Sequence, residues 1–335
     1  ISDELVSNTS SLKQNSIGAG LNYRKSWNSN INSSLQIYFS KYDLEAINFD
    51  VFNDQRLYQE NEVKDAGIKL DTRFLINRNL DILVGYQFSE VGMTNLVDIN
   101  NPIFRRHIKK VIRTNTIFGE GNFTSSSGNT SLQLGLRTSH FDKFNKVMLE
   151  PRMAFSQKLL NNLSFELLGE IKSQSSVQTI DLPNDFLGVE KRRWIMSNEE
   201  DIPLVTSRQL SVGLRFHPGK LLVSLEPYYK QVDGITSSSQ GFQNQFQYVR
   251  SSGSYSVMGY DFLINYLQGR FNSWLAYSFA ENEYNFPEFS PSIFPNNLDI
   301  RHTATFGVAY QSRKIHLSTG LNWRTGKPFT QASDV

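Results

Sequence analysis

The stretch from Ala66 to Phe88, AGIKLDTRFLINRNLDILVGYQF, decides the fold of this 335-residue chain. Two runs in it alternate between apolar and polar residues, a period of two that is typical of a β-strand with one apolar face. A short link, 77–79, joins the runs, so the two strands must be antiparallel neighbours in a hairpin. The polar face of the first strand carries three charges in succession, Lys69, Asp71 and Arg73. A soluble sandwich does not pack such a row inward, so this face meets water or a polar lumen.

The same alternation recurs along the chain and predicts an all-β protein of about 14 strands, each of about ten residues, the length with which a tilted strand crosses a bilayer. The links between strands alternate strictly between tight turns and long polar segments. Tight turns are marked by Asn77, Asn161 and Gly219. Long segments cover about 41–62, 90–110, 173–206, 231–252 and 281–299. A soluble sandwich has no reason to sort its links in this way, whereas an outer-membrane barrel has short periplasmic turns and long extracellular loops.

Composition excludes several classes of function. The chain holds 34 Lys and Arg against 32 Asp and Glu, a formal net charge of +2, so it offers no basic field for a nucleic acid. It has no cysteine, and its 5 histidines are scattered without metal-ligand spacing, so we expect neither a metal nor a cofactor. A nucleophile elbow of the Gly-x-Ser-x-Gly type is absent from the sequence, and no enzymatic activity is expected.

Two features inside the strands admit both a structural and a functional interpretation. Glu166 and Glu170 share one strand face and could act as an acid/base pair, but lumen-facing charges paired with arginines on neighbouring strands are the favoured interpretation. The segment Gly119-Glu120-Gly121 lies within a strand pattern that no helix follows. It therefore predicts close packing of a strand rather than a phosphate-binding loop.

Five short segments then occur in order along the chain: 133–137 (QLGLR), 149–152 (LEPR), 226–230 (EPYYK), 299–303 (DIRHT) and 324–330 (RTGKPFT). They resemble the barrel motifs of the TonB-dependent outer-membrane receptors, and the resemblance covers most of the chain. It implies an antiparallel transmembrane β-barrel of about 22 strands whose lumen is closed by an N-terminal plug. It also implies a location in the bacterial outer membrane and the import of a scarce ligand with TonB-type energy coupling.

The sequence departs from that family in what it lacks. We find about 14 of the about 22 strands and no plug domain, so residues 1–335 are expected to be a single partial barrel domain, an interior fragment of a longer receptor. The expected partners are outer-membrane lipid and, through parts of the receptor outside this chain, the plug domain and a TonB-type energy-coupling protein. Two other classes stay open: a passive porin or structural or adhesive barrel, and a soluble secreted β protein that binds carbohydrate.

Ligand capture is expected at the long extracellular loops. Two loop clusters are cationic: 105–110, with Arg105, Arg106, His107, Lys109 and Lys110, and 191–194, with Lys191, Arg192, Arg193 and Trp194. We predict ligand contacts at Arg106, Arg193, Trp194 and Phe286, because cationic and aromatic groups hold anionic or ring-bearing ligands. Contact with anionic lipid headgroups is the alternative. The ligand itself stays open among iron chelates, vitamins, oligosaccharides and peptides.

Overall fold

The computed structural model describes residues 8–180, 192–198, 200–240 and 251–328. The strands are β1 Asn8–Ser26, β2 Ile31–Asp50, β3 Gln55–Asn77, β4 Leu80–Ile99, β5 Phe104–Thr124, β6 Thr130–Phe141, β7 Lys146–Leu160, β8 Leu163–Gln174, β9 Ser176–Ile180, β10 Arg192–Met196, β11 Val205–Phe216, β12 Leu221–Thr236, β13 Ser252–Gln268, β14 Phe271–Asn285, β15 Ile293–Pro295, β16 His302–Gln311 and β17 His316–Arg324. A 3-10 helix covers Asp142–Phe144, and a short helix, α1, covers Ser237–Gln240. No helix in the described part of the chain is long and apolar enough to span a membrane.

Almost all of the strands form one antiparallel sheet in the order of the sequence. It has 15 strands, of which β15 is a side branch on β14, so 14 strands follow one another from β1 to β17. The strands β9 and β10 form a separate two-stranded sheet. Neighbours in sequence are therefore neighbours in space, as in an up-and-down barrel wall. The predicted all-β fold and its number of strands are confirmed.

The hairpin at 66–88 forms as its alternation predicts. Ile68 lies opposite Phe88, and Leu70 lies opposite Tyr86, which brings the apolar positions of β3 and β4 onto one face. The turn is closed by Asn77, whose side-chain oxygen accepts hydrogen bonds from the main-chain N–H groups of Asn79 and Leu80, at 2.8 and 3.0 Å. An asparagine that bonds the main chain in this way is a typical turn residue. This edge of the sheet, with the tight turns, is called the turn end below, and the opposite edge is called the loop end.

The sheet has one apolar and one polar face, and the apolar face is exposed. On β3 and β4, Leu70 is 48% exposed and Val84 is 44% exposed. The alternate positions carry charged or polar groups, including Asp71, which is partly buried. A soluble sheet buries its apolar face instead, so this inside-out arrangement is that of a wall with lipid on one side.

Two of the segments predicted as long loops are strand. The predicted loop at 41–62 lies within β2 and β3, joined by the turn 51–54, and the predicted loop at 90–110 lies within β4 and β5, joined by the turn 100–103. These predictions were wrong because the face that is apolar near the turn end becomes polar there, as at Lys41, Asp43 and Glu45. The other face carries buried apolar residues, so the alternation changes phase while the strand pairing continues. The result is strands of up to 23 residues, as in β3, which project past the apolar band at the loop end.

Glycines on the two faces have different surroundings. A Cβ added at Gly121, on the apolar face of β5, would meet nothing within 4 Å, and one at Gly119 would reach only the Leu83 carbonyl oxygen at 3.9 Å. The prediction of close packing there was wrong. Together with flanking leucines, these glycines leave a shallow groove of about 720 Å³ on the apolar face. On the polar face the reverse holds, since a Cβ at Gly85 would clash with the Phe118 ring.

Candidate functional site

The GLR and EPR segments form one ion-paired unit on the polar face. Gly135 lies opposite Arg152, and Arg137 lies opposite Glu150, on β6 and β7. Arg137 Nε lies 3.3 Å from the Glu150 carboxylate, and Arg152 Nη2 lies 2.6 Å from the Glu120 carboxylate of β5. Gly135 leaves room for this arrangement, because a Cβ there would lie 2.7 Å from Arg152 Nε. The GLR and EPR segments therefore hold each other's charged side chains in place on the polar face.

Glu150 is the centre of a wider network. Its side chain is buried, and its carboxylate accepts hydrogen bonds from the Ser173 main-chain N–H and hydroxyl, at 2.6 and 2.7 Å, and from the Ser139 hydroxyl at 3.3 Å. Arg137 also donates to the Gln87 side-chain oxygen at 3.1 Å, which extends the network to β4. A buried carboxylate is tolerated only with such partners. The network therefore links the strands from β4 to β8.

Further charges on the polar face are paired as well. Glu166 lies 3.3 Å from Arg215 Nη1 of β11, which confirms the predicted pairing with an arginine of a neighbouring strand. Glu170 instead pairs with Lys172 of its own strand, at 2.8 Å. Among the residues that the structure describes, no group of three His, Asp or Glu side chains could hold a metal ion. Glu166 and Glu170 are thus paired with basic side chains on the polar face of the sheet.

The two C-terminal motifs join the last strands. Arg301 bridges Asp299 and Glu281, with its Nε 3.1 Å from the first carboxylate and its Nη2 2.9 Å from the second. Asp299 is 5% exposed, so Arg301 supplies the charge that a buried carboxylate requires. The N–H of His302 donates to the Thr325 hydroxyl at 3.1 Å, and the Thr325 N–H donates back to the His302 carbonyl at 3.0 Å. The DIRHT and RTGKPFT segments thus tie β14, β16 and β17 together.

The β9–β10 hairpin crosses the polar face at the loop end. It follows β8 in the chain, yet β10 contacts β4 and β3, which are four and five strands away from β8 in the sheet, a span of about 20 Å. Its Met196 is buried against Met93, Ile112 and Phe141, which lie on the polar faces of β4, β5 and β6. Trp194 packs partly buried against the same cluster.

An asparagine side chain anchors this hairpin through its main chain. The Trp194 N–H donates to Asn61 Oδ1 at 3.0 Å, and Asn61 Nδ2 donates to the Trp194 carbonyl at 3.2 Å. Asn95, opposite Asn61 on β4, donates to the same carbonyl at 3.3 Å. Asn61 Nδ2 also donates to Asn95 Oδ1 at 3.0 Å, which fixes the orientation of both amides. The loop end of the sheet therefore carries the β9–β10 hairpin, which two side-chain amides hold at Trp194.

The four predicted ligand contacts do not all come together. Arg193 and Trp194 lie side by side on β10, half-buried over the polar face. Arg106 is exposed on β5, on the face that also carries Ile112. Phe286 is 0% exposed and lies in a different cluster. The cationic neighbour Lys191 lies outside the described residues.

Phe286 belongs to an aromatic cluster that holds the loop after β14. Its ring stacks on Phe289 at a centroid distance of 5.1 Å and lies 5.9 Å from the Tyr284 ring. The Tyr284 hydroxyl donates to Gln240 Oε1 of α1 at 2.8 Å. Burial, helped by the nearby Tyr255, raises the pKa of Tyr284 to about 12. Phe286 thus shapes the loop end from inside and presents no surface to a ligand.

Sequence reasoning missed Asn61, Asn95 and Glu150 as functional positions. Asn61 and Trp194 are 133 residues apart, and an asparagine in a polar strand extension carries no signal of its own. For Glu150 a signal exists, because it stands in the LEPR segment opposite Arg137.

Comparison with known proteins agrees with this architecture. Residues 192–334 match the family model "TonB dependent receptor-like, beta-barrel". Curated protein sequences give no match to the chain. Similar solved structures include the ferric citrate transporter FecA in the unliganded form, with a TM-score of 0.71 and 11% identity over 94% of this chain and 50% of that chain. The ferric yersiniabactin uptake receptor FyuA from Yersinia pestis gives a TM-score of 0.64 and 9% identity over 93% and 49% of the two chains. The RagAB peptide transporter gives 0.59 and 9% over 95% and 48%.

The fold is thus that of an antiparallel transmembrane β-barrel wall. Residues 192–334 match the family of TonB-dependent receptor barrels, and the strands before them continue the same sheet. The resemblance carried by the five short segments is confirmed. The chain spans about half the length of the solved structures to which it is similar.

Proposed function

We infer that this chain forms part of the barrel wall of an outer-membrane importer. The importer captures a scarce ligand at its loop end and moves it inward with TonB-type energy coupling. On this proposal the turn end faces the periplasm and the loop end faces the outside. Ligand is bound and moved without covalent change. The plug domain and the energy-coupling protein act through parts of the receptor outside residues 1–335.

The observation that carries the proposal is the β9–β10 hairpin. A passive porin needs an open lumen for diffusion, whereas here a hairpin of the chain lies across the mouth, about 20 Å from the strand it follows. The charged wall below it supports the same conclusion. Pairs such as Glu166–Arg215 and Arg152–Glu120 give a hydrated, fixed surface against which a plug or a polar guest can slide.

Three of the predicted contacts suit ligand capture at this mouth. Arg106 is exposed, and Arg193 and Trp194 lie on the hairpin that a ligand meets first. Consecutive residues of a strand point to opposite faces, so Trp194 packs on the cluster of Met93 and Ile112, while Arg193 and Arg106 supply cations that favour an anionic guest. Phe286 is buried, so on this proposal it stabilises the loop after β14 and does not contact the ligand. The names of the similar structures cover ferric citrate, ferric yersiniabactin and peptide, so import of a scarce small ligand fits all of them while leaving the class open.

The test is uptake by cells that express the intact receptor. One labelled compound from each class is offered: a ferric chelate, a vitamin, an oligosaccharide and an oligopeptide. We expect one class to accumulate in these cells above the level in cells without the receptor, and an uncoupler that collapses the proton gradient should abolish the difference. Uptake that persists with the uncoupler would identify a passive pore, and the absence of any receptor-dependent uptake would favour the structural or adhesive alternative.

A further inference from the structure

Four amide side chains line the polar face of β2, β3 and β4 at the loop end: Asn48, Gln59, Asn61 and Asn95. We propose that this amide platform is a binding site for an extended peptide, and that the β9–β10 hairpin occupies part of it as an internal ligand. The inference rests on the proposed import function and names the chemical class of the captured ligand.

The first argument is the pair of hydrogen bonds between the Asn61 side chain and the main chain of Trp194. It accepts from the N–H and donates to the carbonyl of the same residue, at 3.0 and 3.2 Å. These are the two bonds that a residue exchanges with its partner in a hydrogen-bonded antiparallel pair. An asparagine amide offers one acceptor and two donors, so it replaces the main chain of a partner strand. Because only main-chain groups are read, any extended segment can take the place of β10.

The second argument is that part of the platform is buried and has unused hydrogen-bonding groups. Gln59 is 5% exposed, and neither its Nε2 nor its Oε1 has a hydrogen-bond partner among the described residues. Asn48 is also 5% exposed, and its Nδ2 is unpaired in the same part of the chain. Buried amides without partners are rare because desolvation is then uncompensated. Gln59 lies two residues from Asn61 on the same face, about 7 Å away, the repeat of an extended chain. A guest that replaces β10 and continues along β3, displacing the atoms that now cover Gln59, would satisfy it.

The third argument concerns the side chains of the guest. Met196 and Trp194, two positions apart on β10, pack against the apolar cluster of Met93 and Ile112. Lys110 lies opposite Met93, and Arg106 lies opposite Val97, both on the same face of β5. The site therefore favours an extended peptide with apolar side chains two residues apart and an acidic group at one end. An oligosaccharide or a compact chelate matches neither the paired main-chain contacts nor this spacing.

The experiment uses the intact receptor purified in detergent and a hexapeptide with the sequence of residues 192–197, acetylated, amidated and labelled with fluorescein. A second probe carries a methyl group on the main-chain nitrogen of the tryptophan, which removes the N–H group that donates to Asn61 Oδ1. Binding is measured by fluorescence anisotropy to the wild type and to Trp194→Ala/Met196→Ala, which loosens the hairpin. The changes Asn61→Ala and Asn265→Ala are then added to the loosened protein. Asn265 is a polar-face asparagine of β13 and serves as the matched control. Heat-modifiable migration on gels verifies that each variant is folded.

We expect the loosened receptor to bind the hexapeptide at least tenfold more tightly than the wild type. N-methylation and Asn61→Ala should each weaken binding at least tenfold, while Asn265→Ala stays within twofold. In a second measurement, which needs no variant, excess hexapeptide should accelerate hydrogen exchange of the β10 amides in the wild type by displacing them. No binding to a folded loosened receptor, or equal binding with and without the tryptophan N–H, would overturn the proposal, as would unchanged exchange at β10.

These outcomes separate the inference from the proposed function. If cells take up a chelate, vitamin or oligosaccharide in an energy-dependent way while the hexapeptide fails to bind, the importer stands and the peptide site is wrong. If the hexapeptide binds as expected but no uptake depends on the receptor, the site stands and the import function is wrong.

Discussion

Replacement of Leu70 by arginine tests whether the apolar face meets lipid. Leu70 lies seven residues before Asn77 at the turn end, which at about 3.3 Å per residue and a tilt of about 45° places it about 16 Å from the turn, near the middle of a hydrocarbon core about 30 Å thick. Its side chain is 48% exposed on that face. Arginine at this depth should therefore lower the free energy of unfolding by about 2–4 kcal/mol.

The matched control is the next residue. Asp71 lies on the polar face, and its ion pair with Lys69 is long, at 3.8 Å. Since such a pair contributes about 0–1 kcal/mol, Asp71→Asn should be nearly neutral. Both variants are compared by urea unfolding of the receptor in phospholipid vesicles, followed by tryptophan fluorescence. Equal destabilisation by the two changes would show that Leu70 does not face lipid, and the assignment of the faces would have to be reversed or abandoned.

Four further predictions follow from single contacts. Gly135→Ala should cost about 1–3 kcal/mol of unfolding free energy in the same assay, because its Cβ would displace Arg152 from Glu120, whereas Gly121→Ala, with nothing within 4 Å, should stay within about 0.5 kcal/mol. Glu150→Gln should also cost about 1–3 kcal/mol, since Arg137 loses its anion, and a neutral result would show that Glu150 is not the centre of its network. The difference in absorbance at 295 nm between the wild type and Tyr284→Phe should show Tyr284 ionising near pH 12; its contribution to stability is complete below about pH 10 and is lost as the pH rises from about 10 to about 12, and Tyr284→Phe should remove this part of the pH dependence. Deletion of 173–206 from the intact receptor should abolish ligand binding to cells, and unchanged affinity would place recognition on other parts of the receptor.

The fold was predictable because alternation is a local signal. In 66–88 every second residue meets lipid, so the apolar positions identify themselves, and the Asn77 turn fixes the register. In 41–62 and 90–110 the same strands continue beyond the apolar band, and the contrast between their two faces reverses. Lys41, Asp43 and Glu45 lie on the face that is apolar nearer the turn end, and a pattern counted from the first hairpin cannot reveal a strand whose phase changes.

The site was predictable only in part, because its contacts are distant in sequence. Trp194 was identified as an aromatic group beside cations, but its clasp by Asn61 joins residues 133 positions apart. Phe286 shows the opposite difficulty. An aromatic residue in a polar loop suggests stacking on a ligand, whereas here it stacks on Phe289 and Phe294 inside the loop.

The strength of the hairpin's attachment bears on whether a guest can replace it. Two bonds from Asn61 and one from Asn95 hold Trp194, and at about 0.5–1.5 kcal/mol each they contribute about 1.5–4.5 kcal/mol. Burial of Met196, which is 2% exposed, adds about 1.5–3 kcal/mol. Release of β10 therefore costs about 3–7 kcal/mol, which weakens the observed affinity of any ligand that displaces it by about 10²- to 10⁵-fold. A peptide that remakes the Asn61 bonds and also satisfies Gln59 can meet this cost. A ligand without main-chain amides cannot remake the bonds to Asn61, so other contacts would have to offset the cost of releasing β10. The hairpin is therefore a larger barrier to such ligands than to an extended peptide.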